Sequence, residues 1–326
     1  MLVKKFKNGN IVAFFALLCI LIAIIFFLKN LQSKQNNVVI NYDVFQKNTQ
    51  SYIPVDIFSK NKILSKAPKS DFKIDDNCKS SLNTCGYFVK GNYIYNDRIK
   101  VKIRDEDNMI VFNEVFIYGS YSFSSPSNKK YVVFDVGSNV CLASLYFLLK
   151  ENVDHVYAFE PVKETLEFAK ENLRMSNKDI SEKISVYDFG LSDKKESIEI
   201  KQQPFSGLNS TYNKTMNSAN NDFPKITVNL EKASSVFSSI ITKCGGKKLI
   251  LKMDCEGGEH SIFPCLDNAG ILKKFDIILF EWHSIEDGNG GDDFSKIENL
   301  LFKNNFVILS QGKGPVRVVK ASKIPN

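Results

Sequence analysis

Hydrophobic and polar positions divide the chain into three stretches. The first centres on residues 11–28, IVAFFALLCILIAIIFFL, eighteen apolar residues without a charge. At 1.5 Å per residue a helix of that length nearly spans the hydrocarbon core of a bilayer. The run ends in Phe-Phe-Leu-Lys rather than in a small-residue cleavage site, so it predicts an uncleaved anchor, not a signal peptide. Lys4, Lys5 and Lys7 precede it and favour a cytoplasmic N-terminus, although Lys29 and Lys34 weaken the asymmetry. The expected organisation is a cytoplasmic tail over 1–10, a transmembrane anchor over 11–28 and a type II, single-pass topology. Everything beyond would then lie in the Golgi or endoplasmic reticulum lumen, or outside the cell. Residues 29–84 form the second stretch, rich in Lys, Asn, Gln and Ser up to residue 77, and read as a partly ordered stem.

The third stretch carries the periodic patterns. Runs at 87–95, 99–103 and 109–118 predict short strands in a small β-rich extension over 85–129. From residue 130 onward apolar strand-like runs alternate with helical ones. The strands are expected at 131–136, 155–159, 184–189, 226–230, 249–253, 277–281, 306–309 and 316–319. The helices are expected at 142–150, 163–175, 230–243, 260–268 and 293–304. Such alternation predicts an α/β fold: a doubly wound, mostly parallel seven-stranded sheet over 130–326, covered on both faces. The last two strands flank Gln311-Gly312-Lys313-Gly314-Pro315 and read as a hairpin, which makes the final strand antiparallel. No internal repeat at solenoid spacing is visible.

Composition narrows the partners. With 44% hydrophobic and 24% charged residues the 326-residue chain is not an intrinsically disordered one, and seven cysteines are too few for a disulfide scaffold. The formal charge of +7 sits outside the globular part. Residues 1–28 carry +3 and residues 29–77 another +3, leaving +1 for 78–326. A nucleic-acid groove needs clustered Lys and Arg, so no nucleic-acid partner is expected.

In a doubly wound sheet, ligands bind at the carboxyl ends of the strands. There the first strand runs into Asp135-Val136-Gly137-Ser138-Asn139-Val140-Cys141 and the second into Ala158-Phe159-Glu160-Pro161. A glycine turn lets backbone approach a ligand, and an acid on the next strand can accept both hydroxyls of a ribose. Together they point to a nucleoside-type cofactor. NAD requires G-x-G-x-x-G, of which only Gly137 is present, and S-adenosylmethionine fits better.

These runs, followed by Leu251-Lys252-Met253-Asp254-Cys255-Glu256-Gly257-Gly258-Glu259 and Phe280-Glu281-Trp282-His283, resemble the FkbM-type methyltransferases over about residues 110–310. The resemblance implies the Rossmann-like class I fold and S-adenosylmethionine as cofactor. It also implies that Asp135, Gly137 and Asn139 line its methionine and ribose side. Glu160 would hold the ribose hydroxyls, and Asp188 would contact the adenine. Lys252, Asp254, Glu256 and Glu259 would face the substrate, with Glu281 and His283 closing the site. The family's second glycine is Cys141 here, so a methyltransferase-like lumenal binding protein without activity is the alternative.

Methyl transfer to a hydroxyl needs alignment and removal of a proton. His283 is the expected base, with Asp254 as its orienter or a second candidate and Lys252 and Glu256 beside them. The acceptor is expected to be a small molecule or a glycan. Asp254, Glu256 and Glu259 could also be metal ligands or helix-terminal acids. Too few ligands can be placed for a hard cation, so no metal is expected.

Other features are secondary. Cys78 and Cys85 could close a small disulfide loop in a lumenal protein, and the absence of C-x-x-C argues against zinc. Asn209-Ser210-Thr211 and Asn213-Lys214-Thr215 are glycosylation sequons in the polar loop 202–224. Asp105-Glu106-Asp107 mimics the D-x-D metal motif of type II glycosyltransferases, although a solvated turn is the simpler reading. The Gly-rich segment 288–293 lacks the G-K-[ST] of a P-loop and reads as a mobile loop over the site.

Overall fold

The computed structural model describes residues 72–124, 128–202, 224–284, 294–312 and 316–324. The chain divides into two compact units, Met1–Leu64 and Ser65–Asn326, and the first lies outside the described residues. So do the anchor run 11–28, both sequons and the Gly-rich segment 288–293. Among the described residues no helix is long and apolar enough to cross a membrane.

The second unit opens with α1 (Asp76–Thr84), then β1 (Phe88–Lys90), β2 (Tyr93–Tyr95) and β3 (Lys100–Lys102), a small antiparallel sheet, and then α2 (Glu106–Phe112). The doubly wound part follows as β4 (Tyr131–Val136), α3 (Leu142–Leu148), β5 (Val153–Phe159), α4 (Lys163–Met175), α5 (Lys178–Ser181) and β6 (Ile184–Tyr187). Next come β7 (Gly190–Ser192), β8 (Glu196–Lys201), β9 (Lys225–Lys232), α6 (Ala233–Ile241), β10 (Lys248–Met253) and α7 (Glu259–Asn268). The unit ends with β11 (Ile277–His283), α8 (Phe294–Lys303), β12 (Phe306–Gln311) and β13 (Val316–Lys323).

Seven strands form the main sheet in the order β12-β13-β11-β10-β4-β5-β6. The five from β11 to β6 are parallel, and β13 runs antiparallel to both β11 and β12. The expected seven-stranded, mostly parallel sheet with a terminal hairpin is therefore present. Strand order reverses at β4: the chain proceeds outward through β5 and β6, then returns to the other side of β4 with β10 and β11. That switch point is where a doubly wound sheet opens a crevice at its carboxyl ends.

Every residue of β4 is buried, as expected of a strand covered on both faces. Alternate side chains enter two different cores. Val133, Ile250 and Leu279 join the cluster containing Leu145, Phe147 and Phe168. Val132, Phe134, Leu251, Ile278 and Phe280 join the one containing Phe237, Phe263 and Phe275. The β-rich extension is not a separate body. Its Ile94 and Val101, fully buried, belong to the first of these clusters, and so do Ile74 and Leu82 from the segment read as stem.

Three expectations change. Residues 109–118 are helical, not a strand: α2 is followed by a π-helical turn, Asn113–Ile117. The β-branched and aromatic composition suggests a strand, but Asp105 accepts from the Asn108 N–H at 2.9 Å and starts a helix. Met109, Phe112 and Val115 then fall three apart, on one buried face. The same cap removes the D-x-D reading, because the other oxygen of buried Asp105 pairs with Arg104 at 3.3 Å. The run 226–230 lies in β9, whose partners β7 and β8 form a separate three-stranded sheet. Cys78 and Cys85 are free thiols. The helix between them places them about 10 Å apart along its axis, beyond disulfide reach.

Candidate active site

The crevice is built by close backbone packing at the ends of β4 and β10. Gly137 has a φ of +71°, and a Cβ there would stand 1.8 Å from the carbonyl oxygen of Asp254. Only glycine permits that approach, so its role is to let the two strand ends touch. The Asp254 N–H in turn donates to the Val136 carbonyl at 3.0 Å.

Cys141, standing where a second glycine is usual, adopts a φ of +62°. The left-handed turn is thus preserved by a residue that pays about 1 kcal/mol for it. Its thiol is fully buried in the core cluster under the turn and is pushed up to about 12, chiefly by that burial. The side chain is packed into the protein, and the path of the backbone is kept.

On the β5 side, Glu160 is fixed through both oxygens. The Asn139 N–H donates to Oε2 at 3.1 Å and the Val162 N–H to Oε1 at 2.9 Å. A carboxylate has about four acceptor sites, so two remain for ligand hydroxyls. Burial raises its carboxyl to about 7 against those two N–H groups and Lys252. Beside it, Ser138 Oγ and Asn139 Oδ1 are buried without a partner among the described residues. Unsatisfied buried oxygens next to a half-used carboxylate fit a polar, hydroxyl-bearing cofactor. Exposed Asp188 follows β6 and continues the register opposite Glu160, because Phe159 pairs with Tyr187.

Asp135 and Lys252 lie deeper. Both are buried, and the ammonium stands 3.0 Å from Asp135 Oδ1. This contact is ionic; the aligned hydrogen bond from Lys252 goes to the Gly137 carbonyl at 2.8 Å. Burial works against the Lys252 charge, but Asp135 and Asp254 outweigh it and hold the ammonium above its ordinary range. Ser144 donates to the other oxygen of Asp135 at 2.5 Å. Neither Asp135 nor Lys252 has an exposed side chain. They tie the glycine turn to β10, an arrangement suited to positioning the turn.

On the β10 and β11 side the cluster is open to the crevice. Asp254 is 29% exposed, Glu256 18% and His283 12%. Tyr121 donates to Asp254 Oδ2 at 3.0 Å, and Lys252 stands 3.9 Å from the same oxygen. His283 lies 3.4 Å from Glu256 through Nε2, 3.4 Å from Glu259 through Nδ1, and 3.9 Å from Glu281 through Nε2. Glu259 is fully buried. Its two oxygens accept from the Cys255 and Gly257 N–H groups at 2.9 Å each, closing the turn before α7.

The electrostatics follow from this crowding. Burial, with its neighbouring carboxylates, pushes Glu256 and Glu281 up to about 8, although His283 pulls both down. Burial would lower His283, but Glu259, Glu256 and Asp254 raise it to about 10. The imidazole is therefore charged near neutral pH, which is a poor state for a base.

Two contributors escaped the sequence reading. Tyr121 and Glu114 both come from the extension before the sheet. Tyr121 sits over Lys252, whose ammonium is 5.3 Å from the ring centre. Glu114, raised to about 7 by burial and then by Asp254, adds a further acid. Their only signal was one acid and one tyrosine near apolar runs, which says nothing until the helix packs against the crevice. A surface concavity of about 650 Å³ lined by Lys232, Ser234, His260 and Cys265 includes none of the crevice residues.

A family model described as the methyltransferase FkbM domain matches residues 135–308, just over half of the chain. The chain belongs to the FkbM methyltransferase family. S-adenosylmethionine is the cofactor that goes with this membership, and the Glu160 cradle is where the residues fit it. No curated protein matches the chain. Solved structures similar to it include a methyltransferase FkbM from Methylobacillus flagellatus KT, at 16% identity and a TM-score of 0.40. The similarity covers 64% of this chain and 47% of that one, so this FkbM chain spans about half the length of that relative. A precorrin-6y C5,15-methyltransferase from Geobacter metallireducens GS-15 is 12% identical with a TM-score of 0.33, over 68% of this chain and 90% of that one. Sp1610 of Streptococcus pneumoniae, solved in complex with S-adenosyl-L-methionine, is 13% identical with a TM-score of 0.35, over 61% and 69%.

Proposed function

We propose that this FkbM-family chain is an S-adenosylmethionine-dependent methyltransferase that methylates a hydroxyl of a glycan or other small acceptor. Residues 11–28 would anchor it, with the catalytic unit in the Golgi or endoplasmic reticulum lumen or outside the cell. The observation that carries the reading is the pairing of two unlike sites across one crevice. A half-used carboxylate, Glu160, lies beside partnerless Ser138 and Asn139 oxygens on one side. A proton-rich acidic cluster lies on the other.

S-adenosylmethionine, when bound, supplies an electrophilic methyl group, so the protein's work is placement and proton handling. Glu160 would hold the ribose hydroxyls, Gly137 and Asn139 would line the methionine and ribose side, and Asp188 would sit by the adenine. The proton of the acceptor hydroxyl needs an accepting group within hydrogen-bond reach. His283 suits this role poorly, because the carboxylates around it favour its protonated form. Asp254 suits it better: it is partly exposed, and Tyr121 and Lys252 fix its orientation through Oδ2. His283 then balances the charge of the carboxylates around it. The inactive-protein alternative is weakened, because Cys141 keeps the left-handed turn with its thiol fully buried.

The test is transfer of a labelled methyl group from S-adenosylmethionine to glycan acceptors by the full chain, with mass spectrometry locating the label. Label on an acceptor oxygen, lost in Asp254→Asn with cofactor binding retained, supports the reading. Label on nitrogen or carbon, or none on any hydroxyl acceptor, contradicts it. Protease protection of the full chain in membranes checks the topology. Digestion of the catalytic unit without permeabilisation of the vesicles would reverse it.

A further inference from the structure

At the mouths of β10 and β11, Asp254, Glu256 and His283 each offer one ligand atom, and these atoms lie within 4.8 Å of one another. More than acidity brings them together. His283 presents Nε2 to Glu256, while its Nδ1 faces Glu259 from behind. Glu259 is fully buried and held in place by two backbone N–H groups. A fixed carboxylate behind one ring nitrogen, with carboxylate oxygens before the other, is how proteins orient a metal-binding histidine. Asp254 is prepared in a similar way. Tyr121 and Lys252 both address Oδ2, so Oδ1 would be its ligand atom. All three side chains retain some exposure, so the cluster is not sealed against a further oxygen ligand.

We propose that Asp254, Glu256 and His283 form a divalent-cation site of the manganese type, with an open position for an oxygen of the acceptor. One imidazole with two carboxylates suits Mn²⁺ better than Ca²⁺, which takes six to eight oxygens, and better than the thiolate-seeking metals. This departs from the metal-free expectation drawn from the sequence, where the fold that joins β11 to the β10 turn is invisible. The role rests on the methyltransferase reading and deepens it: the cation would displace the protons of His283 and Glu256 to solvent, and it would take over from Asp254 the task of holding the acceptor hydroxyl and making it more acidic, its proton leaving to water.

The test is Mn²⁺ binding to the full chain, followed by the paramagnetic resonance of the free ion and by quenching of Trp282, the only tryptophan in the chain. Trp282 immediately precedes His283 and reports on that position. One saturable site that quenches Trp282 is expected. Glu256→Gln and His283→Gln should each weaken it about tenfold or more, and Glu259→Gln about 10- to 100-fold. Glu182→Gln, on the far side of the sheet edge after α5, should leave it unchanged. No saturable binding, or equal binding in Asp254→Asn, Glu256→Gln and His283→Gln, overturns the proposal. If a variant fails to fold, the wild type still decides, because binding without quenching of Trp282 places the ion elsewhere. S-adenosylmethionine titrated into the same samples separates the two readings. Cofactor binding without Mn²⁺ binding sinks only the cation site, and Mn²⁺ binding without cofactor sinks only the methyltransferase reading.

Discussion

The two sides of the crevice are built on opposite principles. On the β4 side, buried polar atoms are tied down: Asp135 meets Lys252 and Ser144, and Glu160, although burial raises it to about 7, has both oxygens held by backbone N–H groups. On the β10 and β11 side, Glu114, Glu256 and Glu281 are all raised above the ordinary carboxylate range around one imidazolium. The first side resembles a mould, fixed before any ligand arrives. The second is electrostatically unsettled, and it gains most from a partner that brings positive charge or takes a proton. A transferase that must hold its cofactor rigidly and adjust its acceptor would divide the labour this way.

The sharpest way to break this comparison is to unbalance the mould. Lys252→Met leaves Asp135 buried without its partner and should destabilise the fold by about 3–5 kcal/mol. Thermal unfolding would show it, and a loss under 1 kcal/mol would mean the pair is not the keystone of the β4 side. Gly137→Ala drives a Cβ into the Asp254 carbonyl and should cost about 2 kcal/mol or more. Denaturant titration measures this, and an unchanged midpoint would mean that the β4 and β10 ends do not touch.

The unsettled side makes a prediction in pH. Glu256 and Glu281 rise from 4.5 to about 8 on folding, so protonation favours the folded state. That contribution is complete below about pH 4.5 and is lost as pH rises through about 8. His283, raised from 6.5 to about 10, adds stability present below 6.5 and lost as pH rises through about 10. The melting temperature should therefore fall steadily from pH 6 to pH 9, and less steeply in Glu281→Gln. A profile that is flat in the wild type contradicts the crowding. The smallest effect is expected for Tyr121→Phe, which removes one hydrogen bond to Asp254 and should cost about 1 kcal/mol. A double-mutant cycle with Asp254→Asn would show whether the extension is coupled to the site.

Much of the sheet was legible because β4, β10 and β11 are buried on both faces over most of their length and read as mainly apolar runs. The carboxyl ends of the sheet strands carried the motif residues, so Glu160 could be named from its place after the glycine turn, and Asp254 and His283 from the family resemblance of those motifs. What spacing could not convey was direction. Lys252 and Asp135 sit in motifs, yet they point into the protein and pair with each other. Glu259 sits in the same motif and closes a turn. Residues 109–118 misled because β-branched and aromatic residues outvoted one capping aspartate, Asp105, and a helix spacing of three. Tyr121 and Glu114 were silent because their role exists only once that helix packs against the strand ends.

The account stands most directly on Glu160 as the cofactor's anchor. Calorimetric titration of S-adenosylmethionine into the full chain, wild type and Glu160→Gln, tests it. The wild type should bind, and the variant should bind about tenfold more weakly or worse through loss of a hydrogen-bond acceptor, while a modest fall in its melting temperature reflects the one backbone N–H that the amide can no longer accept. No binding by the wild type, or equal binding by the two proteins, would contradict the account.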